Sequence, residues 1–263
     1  EVVEKIIKFE PEWVGYTSYT ANIQTIDILS TKVRERKPKI KQIIGGVHAT
    51  LDHNLLDKLK NIDYSVQREG TKIIGIGDAN VIKSIDDLPL PERSKFYGMS
   101  EEEKQFIDVS YICSIRGCPY RCNYCASPFH WKRDKTQYRS PESVLDEMKH
   151  LKSNYWNKKK YDYSASGNVE DKSKMIIEDN TIVYFVDDIF TVKKPRVKQI
   201  MRNMIDNKLD MPWKCEARTD HLDEEIADLM KQTNCNRVKL GFESGSDRIL
   251  KEIQKDETTE DMK

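Results

Sequence analysis

The chain has 263 residues, enough for one large domain or two ordinary ones with a sizeable core. Its 44 Lys and Arg balance 44 Asp and Glu, so no net field draws it to nucleic acid or to an anionic membrane. A charged fraction of 33% and a mean hydropathy of −0.71 describe a densely charged surface, and no apolar run approaches the ~20 residues of a membrane span. No signal-peptide pattern is read at its start. Six cysteines, three of them clustered, read as reduced thiols in a cytoplasmic protein rather than as a disulfide framework.

Val2, Val3, Ile6 and Ile7 recur at helical spacing and predict a helix over 1–9. Residues 13–19 are β-rich. Ile23, Ile26, Leu29 and Val33 predict a helix over 21–36, stopped near Pro38. A short buried strand over 40–44 runs into Gly45-Gly46, a helix over 53–60 carries Leu55, Leu56 and Leu59, and a strand over 62–66 runs into Arg68-Glu69-Gly70. Alternating helix and strand with short connections predicts a Rossmann-like parallel sheet covered by helices over residues 1–83. Because the chain enters at a helix, the first strand of that sheet is expected to be missing.

Ligands of such sheets sit at the carboxyl ends of strands. The residues there are Thr17-Ser18-Tyr19-Thr20, Gly45-Gly46-Val47-His48-Ala49-Thr50 and Glu69-Gly70. Small hydroxyl residues and paired glycines let a bulky ligand approach backbone amides. Each loop alone reads more simply as an ordinary capped turn.

A proline-bearing linker, expected over 84–105, leads to a strand over 109–114 and then to Cys118-Pro-Tyr-Arg-Cys122-Asn-Tyr-Cys125. One strand or helix would point three thiols at C-x₃-C-x₂-C spacing apart. A loop wraps them around one soft centre, an iron–sulfur cluster or zinc. Three cysteines on a [4Fe–4S] cluster leave one iron open to a ligand, whereas structural zinc wants four closed ligands. The nearest fourth candidates, Cys113 and His130, complete no familiar paired-knuckle spacing.

Beyond the loop, Ser140 and Pro141 open a helix with a stripe of Val144, Leu145, Met148 and Leu151. Residues 154–180 lack periodicity and read as an exposed insertion. Strands over 181–186, 213–218 and 237–243 alternate with helices over 195–209 and 223–231 and a final one capped by Ser246. Four βα units predict part of a TIM-like barrel over 106–263, whose chemistry gathers at strand carboxyl ends. Those ends are the cysteine loop, Asp187-Asp188, Arg218 and Glu243-Ser244. Alternation sets Lys214, Glu216 and Arg218 on one face and Trp213, Cys215 and Ala217 on the other. Asp188 also fits a turn cap, and Arg218 and Glu243 a structural ion pair. Cys113, Cys215 and Cys235 read as small buried apolar residues.

Ser114-Ile-Arg116-Gly117-Cys118-Pro-Tyr-Arg-Cys122-Asn-Tyr124-Cys125 resembles the signature of the radical S-adenosylmethionine (SAM) superfamily. The resemblance implies that Cys118, Cys122 and Cys125 hold a [4Fe–4S] cluster whose open iron chelates the methionine part of SAM. One electron then splits the sulfonium to a 5′-deoxyadenosyl radical. It further implies that Tyr124 lies beside the adenine, that Asp187 or Asp188 meets the SAM amino group, and that Arg218, Glu243 and Ser244 meet its carboxylate and ribose. An electron donor such as flavodoxin or ferredoxin is implied as partner.

Trp13-Val-Gly-Tyr-Thr17-Ser18-Tyr-Thr20, Gly45-Gly46-Val-His48-Ala-Thr50 and Asp63-Tyr-Ser-Val-Gln-Arg-Glu69-Gly70 together resemble the cobalamin (B12)-binding domain that precedes many radical SAM cores. By that resemblance Thr17, Ser18, Thr20, Gly45, Gly46, His48, Glu69 and Gly70 line the nucleotide tail and lower face of the corrin. The Asp-x-His-x-x-Gly loop of His-on cobalamin proteins is absent, so His48 is expected beside the ligand and not on cobalt. The family domain continues further after Gly70, and its barrel has six units where four are read here, so both domains are expected to be partial. The implied activity is that of a cobalamin-dependent radical SAM enzyme methylating an unactivated carbon of a small-molecule or peptide substrate. Cyclisation or rearrangement without methyl transfer, and a zinc-stabilised module without catalysis, are the alternatives. Methylthiotransferases carry a second cluster on N-terminal cysteines, and no cysteine precedes Cys113.

Overall fold

The structure is a computed structural model that describes residues 1–67, 84–93, 110–127, 136–154 and 182–263. The chain divides into two units, the first reaching Ile82 and the second beginning at Lys83.

The first unit strings α1 (Val2–Phe9), β1 (Trp13–Thr17), α2 (Ile23–Arg36), β2 (Lys41–Gly45), α3 (Val47–Leu51), α4 (Leu55–Lys58) and β3 (Tyr64–Ser65). The strands form a parallel sheet in the order β1-β2-β3, with Trp13 opposite Lys41 and Ile44 opposite Ser65. Alternation turns Val14 and Ile44 toward the helices, where they pack with Val3, Val33, Ile26, Ala49 and Leu55. Gln42 shares that buried face without penalty, because Oε1 accepts from the Tyr16 hydroxyl at 2.6 Å and Nε2 donates to the Ser30 and Asn61 carbonyls at 3.0 Å. The opposite face carries Trp13 and Tyr64, both exposed, with rings 5.5 Å apart.

The helix predicted over 53–60 is present as the shorter α4, and an unpredicted α3 precedes it, the two separated around Asp52. The Asp52 carboxylate accepts from the Asn54 amide at 3.1 Å and from Lys58 Nζ at 2.6 Å. A short acidic side chain offers the backbone this local alternative to the helical ladder.

The second unit contains β4 (Tyr111–Ile112), β5 (Ile115–Arg116), β6 (Gln137–Tyr138), α5 (Pro141–Asn154), β7 (Val183–Phe185), α6 (Lys194–Asp206), β8 (Trp213–Ala217), α7 (Glu224–Gln232), β9 (Cys235–Leu240) and α8 (Asp247–Glu252). Strands β4-β7-β8-β9 lie side by side in sequence order and all pair in parallel. This is the wall of a partial βα barrel. Its helix-facing side chains, Ile112, Val183, Phe185, Trp213 and Cys215, form one core with Val144, Met148, Leu151, Val197, Met201 and Ile226. Phe185 meets Trp213 edge-on at 5.6 Å, and the indole N–H donates to the Thr233 carbonyl at 2.9 Å. On the other face Glu216 accepts from the Tyr184 hydroxyl at 2.6 Å and from Lys239 at 3.0 Å.

Ser140 caps α5, its hydroxyl accepting from the Ser143 amide at 3.1 Å. Ser246 stands at the N-cap of α8, but its hydroxyl makes no capping bond. Cys215 is buried as expected, Cys235 is half-buried, and Cys113 is exposed. The reason is alternation: Cys113 follows the buried Ile112 and so turns to the opposite face of β4. There it lines a cavity of about 240 Å³ with Leu88, Leu90, Tyr111 and Val186. The insertion read over 154–180 lies, beyond Asn154, outside the described residues.

Gly46 sits at φ 99°, and a Cβ there would stand 2.8 Å from the Ser18 carbonyl oxygen and 2.9 Å from its amide nitrogen. Gly15 has only ordinary contact, at 3.9 Å from Ile43. Gly46→Ala should therefore lower the stability of the first unit by about 1–3 kcal/mol, and Gly15→Ala should change it far less. The midpoints of chemical unfolding of the two variants check this.

Candidate active site

Strand β4 ends at the cluster loop, and the next strand holds that loop's start. Asp187, two residues past the end of β7, is 2% exposed. Its Oδ1 accepts from the Ser114 and Ile115 amides at 2.6 and 2.8 Å, and Oδ2 accepts from the Ser114 hydroxyl at 2.5 Å. The hairpin of β5 and β6, absent from the sequence reading, braces the same stretch, with Ile115 opposite Tyr138. Asp188 faces the other way: it is exposed and accepts from the Ser127 hydroxyl just past Cys125. Of the two aspartates proposed for the SAM amino group, Asp187 is thus committed to the backbone and Asp188 is accessible.

Cys118 and Cys122 are buried and Cys125 is half-buried. Burial pushes the Cys118 thiol up to about 11, and Asp188, Cys125 and Cys122 add to the rise. Among the described residues no three His, Cys, Asp or Glu side chains are already drawn around one point. Thiolates repel one another until a cation neutralises them, so closing the set falls to the metal itself. The donor set fits an iron–sulfur cluster held by Cys118, Cys122 and Cys125. Cys113, the described candidate for a fourth zinc ligand, instead donates to the Ile115 carbonyl at 3.2 Å. His130 lies outside the described residues.

Tyr124 is 52% exposed; burial of its hydroxyl, then the Cys122 and Glu243 charges, push the phenol up. Glu243 stands at φ 57°, past the end of β9, and its carboxylate folds back over Gly241, where any Cβ would lie 2.6 Å from Oε1. Lys255 Nζ sits 3.5 Å from that oxygen. Ser244, next to it, accepts through its hydroxyl from the Ser246 amide at 3.2 Å.

Arg218 departs from the sequence expectation. It is 2% exposed, forks onto Asp220 at 3.0 and 3.1 Å, and donates to the carbonyls of Lys255 and Asp256 at 2.7 and 3.0 Å. Its guanidinium lies 3.8 Å from the Tyr120 ring centroid. The Tyr120 hydroxyl bonds His221 Nε2, and His221 Nδ1 bonds the Thr191 hydroxyl at 3.2 Å. Burial lowers the His221 pKa and pushes Tyr120 up to about 12, so both groups are neutral near pH 7. Asn123 ties the loop to the end of α8, its amide donating to the Ile253 carbonyl and its side chain to the Glu252 carbonyl, both at 3.0 Å. Sequence reasoning missed Tyr120, Asn123, His221, Lys255 and Glu257. Only Asp220-His221, following Arg218 at a strand end, carried a positional signal.

In the first unit, two of the three candidate loops are stapled together. The buried Ser18 hydroxyl donates to the Gly45 carbonyl at 2.7 Å and accepts from the Ala49 amide at 3.0 Å. Thr20 Oγ1 lies 3.0 Å from His48 Nδ1, and His48 Nε2 is 3.8 Å from Asp52. Ser18 is therefore spent on joining the loops, while the exposed Thr17 and Thr20 and the half-buried His48 border them. The third loop's Glu69 and Gly70 lie outside the described residues.

Asp187 titrates near pH 6, raised first by burial and partly offset by its bonds to Ser114 and Ile115. An acid raised on folding gives stability that is complete below its unfolded pKa of about 4 and is lost as pH climbs through the folded value. Asp187→Asn keeps one acceptor oxygen for the two amides and should flatten the stability change between pH about 4 and 6. Chemical unfolding at several pH values, compared with the parent protein, measures this.

Comparison with known proteins places the chain in a family. Residues 112–263 match the radical SAM superfamily and residues 1–75 the B12 binding domain. An uncharacterized methyltransferase of Pyrococcus horikoshii is 23% identical over 97% of this chain and 56% of its own length. The anaerobic magnesium-protoporphyrin IX monomethyl ester cyclase of Rubrivivax gelatinosus is 23% identical over 100% of this chain and 49% of its own. The chain thus spans about half the length of these curated relatives. The solved structure of the radical SAM methyltransferase TsrM from Kitasatospora setae superposes with a TM-score of 0.71 at 16% identity, covering 100% of this chain and 56% of that one, and so shares the fold. Membership implies a [4Fe–4S] cluster, SAM and cobalamin: the chain belongs to the radical SAM superfamily, in the group that carries an N-terminal B12-binding domain.

Proposed function

We propose that the whole protein transfers a methyl group to an unactivated carbon of a small-molecule or peptide substrate, with an electron supplied by a flavodoxin- or ferredoxin-like donor. The observation that carries this reading is one chain joining a three-cysteine radical SAM loop to a B12-binding domain. The Pyrococcus relative named a methyltransferase matches across 97% of this chain and supports it. The cluster and SAM supply hydrogen abstraction, and cobalamin supplies a methyl carrier.

The protein's own residues bind, orient and shield. Cys118, Cys122 and Cys125 hold the cluster. Asp188, bonded to Ser127 just past the loop, and Glu243, beside Lys255, offer two carboxylates suited to the ammonium of SAM. The exposed Tyr124 ring offers the adenine an aromatic face. In the first unit, Thr20 and His48 border the two loops that Gly46 and Ser18 join, and offer them to a bulky ligand.

A second reading, cyclisation without methyl transfer, is favoured by the Rubrivivax cyclase, which matches the entire chain. The full-length protein, reconstituted anaerobically, should hold about four cluster irons. With SAM, reductant and hydroxocobalamin it should release 5′-deoxyadenosine and add the mass of one methyl group to its substrate. Release of 5′-deoxyadenosine with a product lacking that added mass selects the cyclase reading. Tight binding of about one zinc and no iron would sink both.

A further inference from the structure

Arg218 stands at the carboxyl end of β8, where a cation invites the carboxylate of a bound ligand. Its Nε, Nη1 and Nη2 nitrogens are instead all engaged on Asp220 and on the carbonyls of Lys255 and Asp256. The flat of the guanidinium lies against Tyr120, between Cys118 and Cys122 in the loop. Only a planar, forked cation does both at once; lysine keeps the charge but loses the stack and the fork.

A second line of contacts continues from it. Arg218 Nε lies 3.8 Å from Glu257 Oε1, which accepts from the Thr219 amide and hydroxyl at 2.9 Å. Glu257 Oε2, buried and without a hydrogen bond, faces Lys255 Nζ at 3.3 Å, and the same Nζ reaches Glu243 at 3.5 Å. The path runs Tyr120, Arg218, Glu257, Lys255, Glu243. Arg218, Lys255 and Glu257 are all buried. Buried ions so close make removal of one costly to its neighbours, which is how such a chain of contacts holds a single geometry.

We propose that Arg218 and Lys255 are positioning residues for the cluster and SAM: Arg218, stacked on Tyr120, sets the loop that carries the three cysteines, and Lys255, tied to Arg218 through Glu257, sets Glu243. Neither residue is assigned contact with the reacting atoms. The inference rests on the cluster reading above.

The test uses the full-length protein reconstituted anaerobically. Arg218→Lys should keep native circular dichroism but lose iron to a chelator about tenfold faster, as supporting partners of metal ligands do. Tyr120→Leu, which removes the same stack from the loop side, should speed iron loss similarly, and the double variant should add little, because the two side chains act as one contact. Lys255→Met, which leaves the Tyr120 stack in place, should speed iron loss less than Arg218→Lys does while raising about tenfold the SAM concentration that half-shifts the electron paramagnetic resonance signal of the reduced cluster. If Arg218→Lys does not fold, Tyr120→Leu alone carries the first arm. Wild-type iron release in the Arg218 and Tyr120 variants, additive effects in the double variant, or wild-type SAM dependence in Lys255→Met overturns the proposal. A parent protein that takes up no cluster overturns the cluster reading itself.

Discussion

A single buried carboxylate anchors the start of the loop on which the rest depends. Asp187 ends one barrel strand and accepts two backbone amides and a hydroxyl from the start of the next segment over. Without it the Ser114 and Ile115 amides would lose the buried acceptor they share, at a cost of about 1–3 kcal/mol each. Burial raises the carboxyl's pKa in return. The loop's far side is held differently, by an arginine face on Tyr120 and by the bonds of Asn123 to the end of α8. The cysteines therefore lie on a segment fixed at both flanks, while closure of the three sulfurs is left to metal coordination.

The barrel wall makes this anchoring possible because strand alternation separates two kinds of work. Outward side chains such as Phe185, Trp213 and Cys215 sink into the helical layer and supply the hydrophobic stabilisation. Inward ones, Tyr184, Glu216 and Lys239, satisfy one another by hydrogen bonds and leave a polar inner surface. The helical layer also buries charge: Glu147 of α5 lies between Arg93 of the linker and Arg139. Arg93 donates in addition to the carbonyl of Tyr111, which joins the linker to β4. Where the polar and apolar patterns end, at the carboxyl tips of the strands, the chain collects its aspartates, glutamate and cysteines.

The first unit solves a smaller version of the same problem. Two loops at the carboxyl ends of β1 and β2 are joined by the buried Ser18 hydroxyl, and the join requires a residue without a Cβ at position 46. The glycine and the serine are thus one device seen from two sides. Thr20 and His48, held 3.0 Å apart, border the loops it creates.

Much of this was legible in order of residues alone. Periodicity marked the parallel strands and their helices, because an apolar stripe repeats at the geometry of the element that buries it. The spacing of Cys118, Cys122 and Cys125 announced a soft metal centre, because short separations constrain where sulfurs can meet. The extra short helix before Asp52 and the outward turn of Cys113 were local surprises, the second decided by one step of alternation.

What a linear reading did not decide was the employment of each charge. Asp187 and Asp188 are neighbours in sequence, yet one is buried under a strand end and the other lies open beside the loop. Arg218 looked like a ligand contact and is instead enclosed by Tyr120, Asp220 and a segment nearly forty residues downstream, at Lys255 and Asp256. Local pattern determines which elements form and where reactive residues cluster, because those depend on neighbours along the chain. Only the tertiary structure decides which polar groups are satisfied internally and which remain for a ligand, because hydrogen-bond partners and desolvation come from residues far apart in sequence.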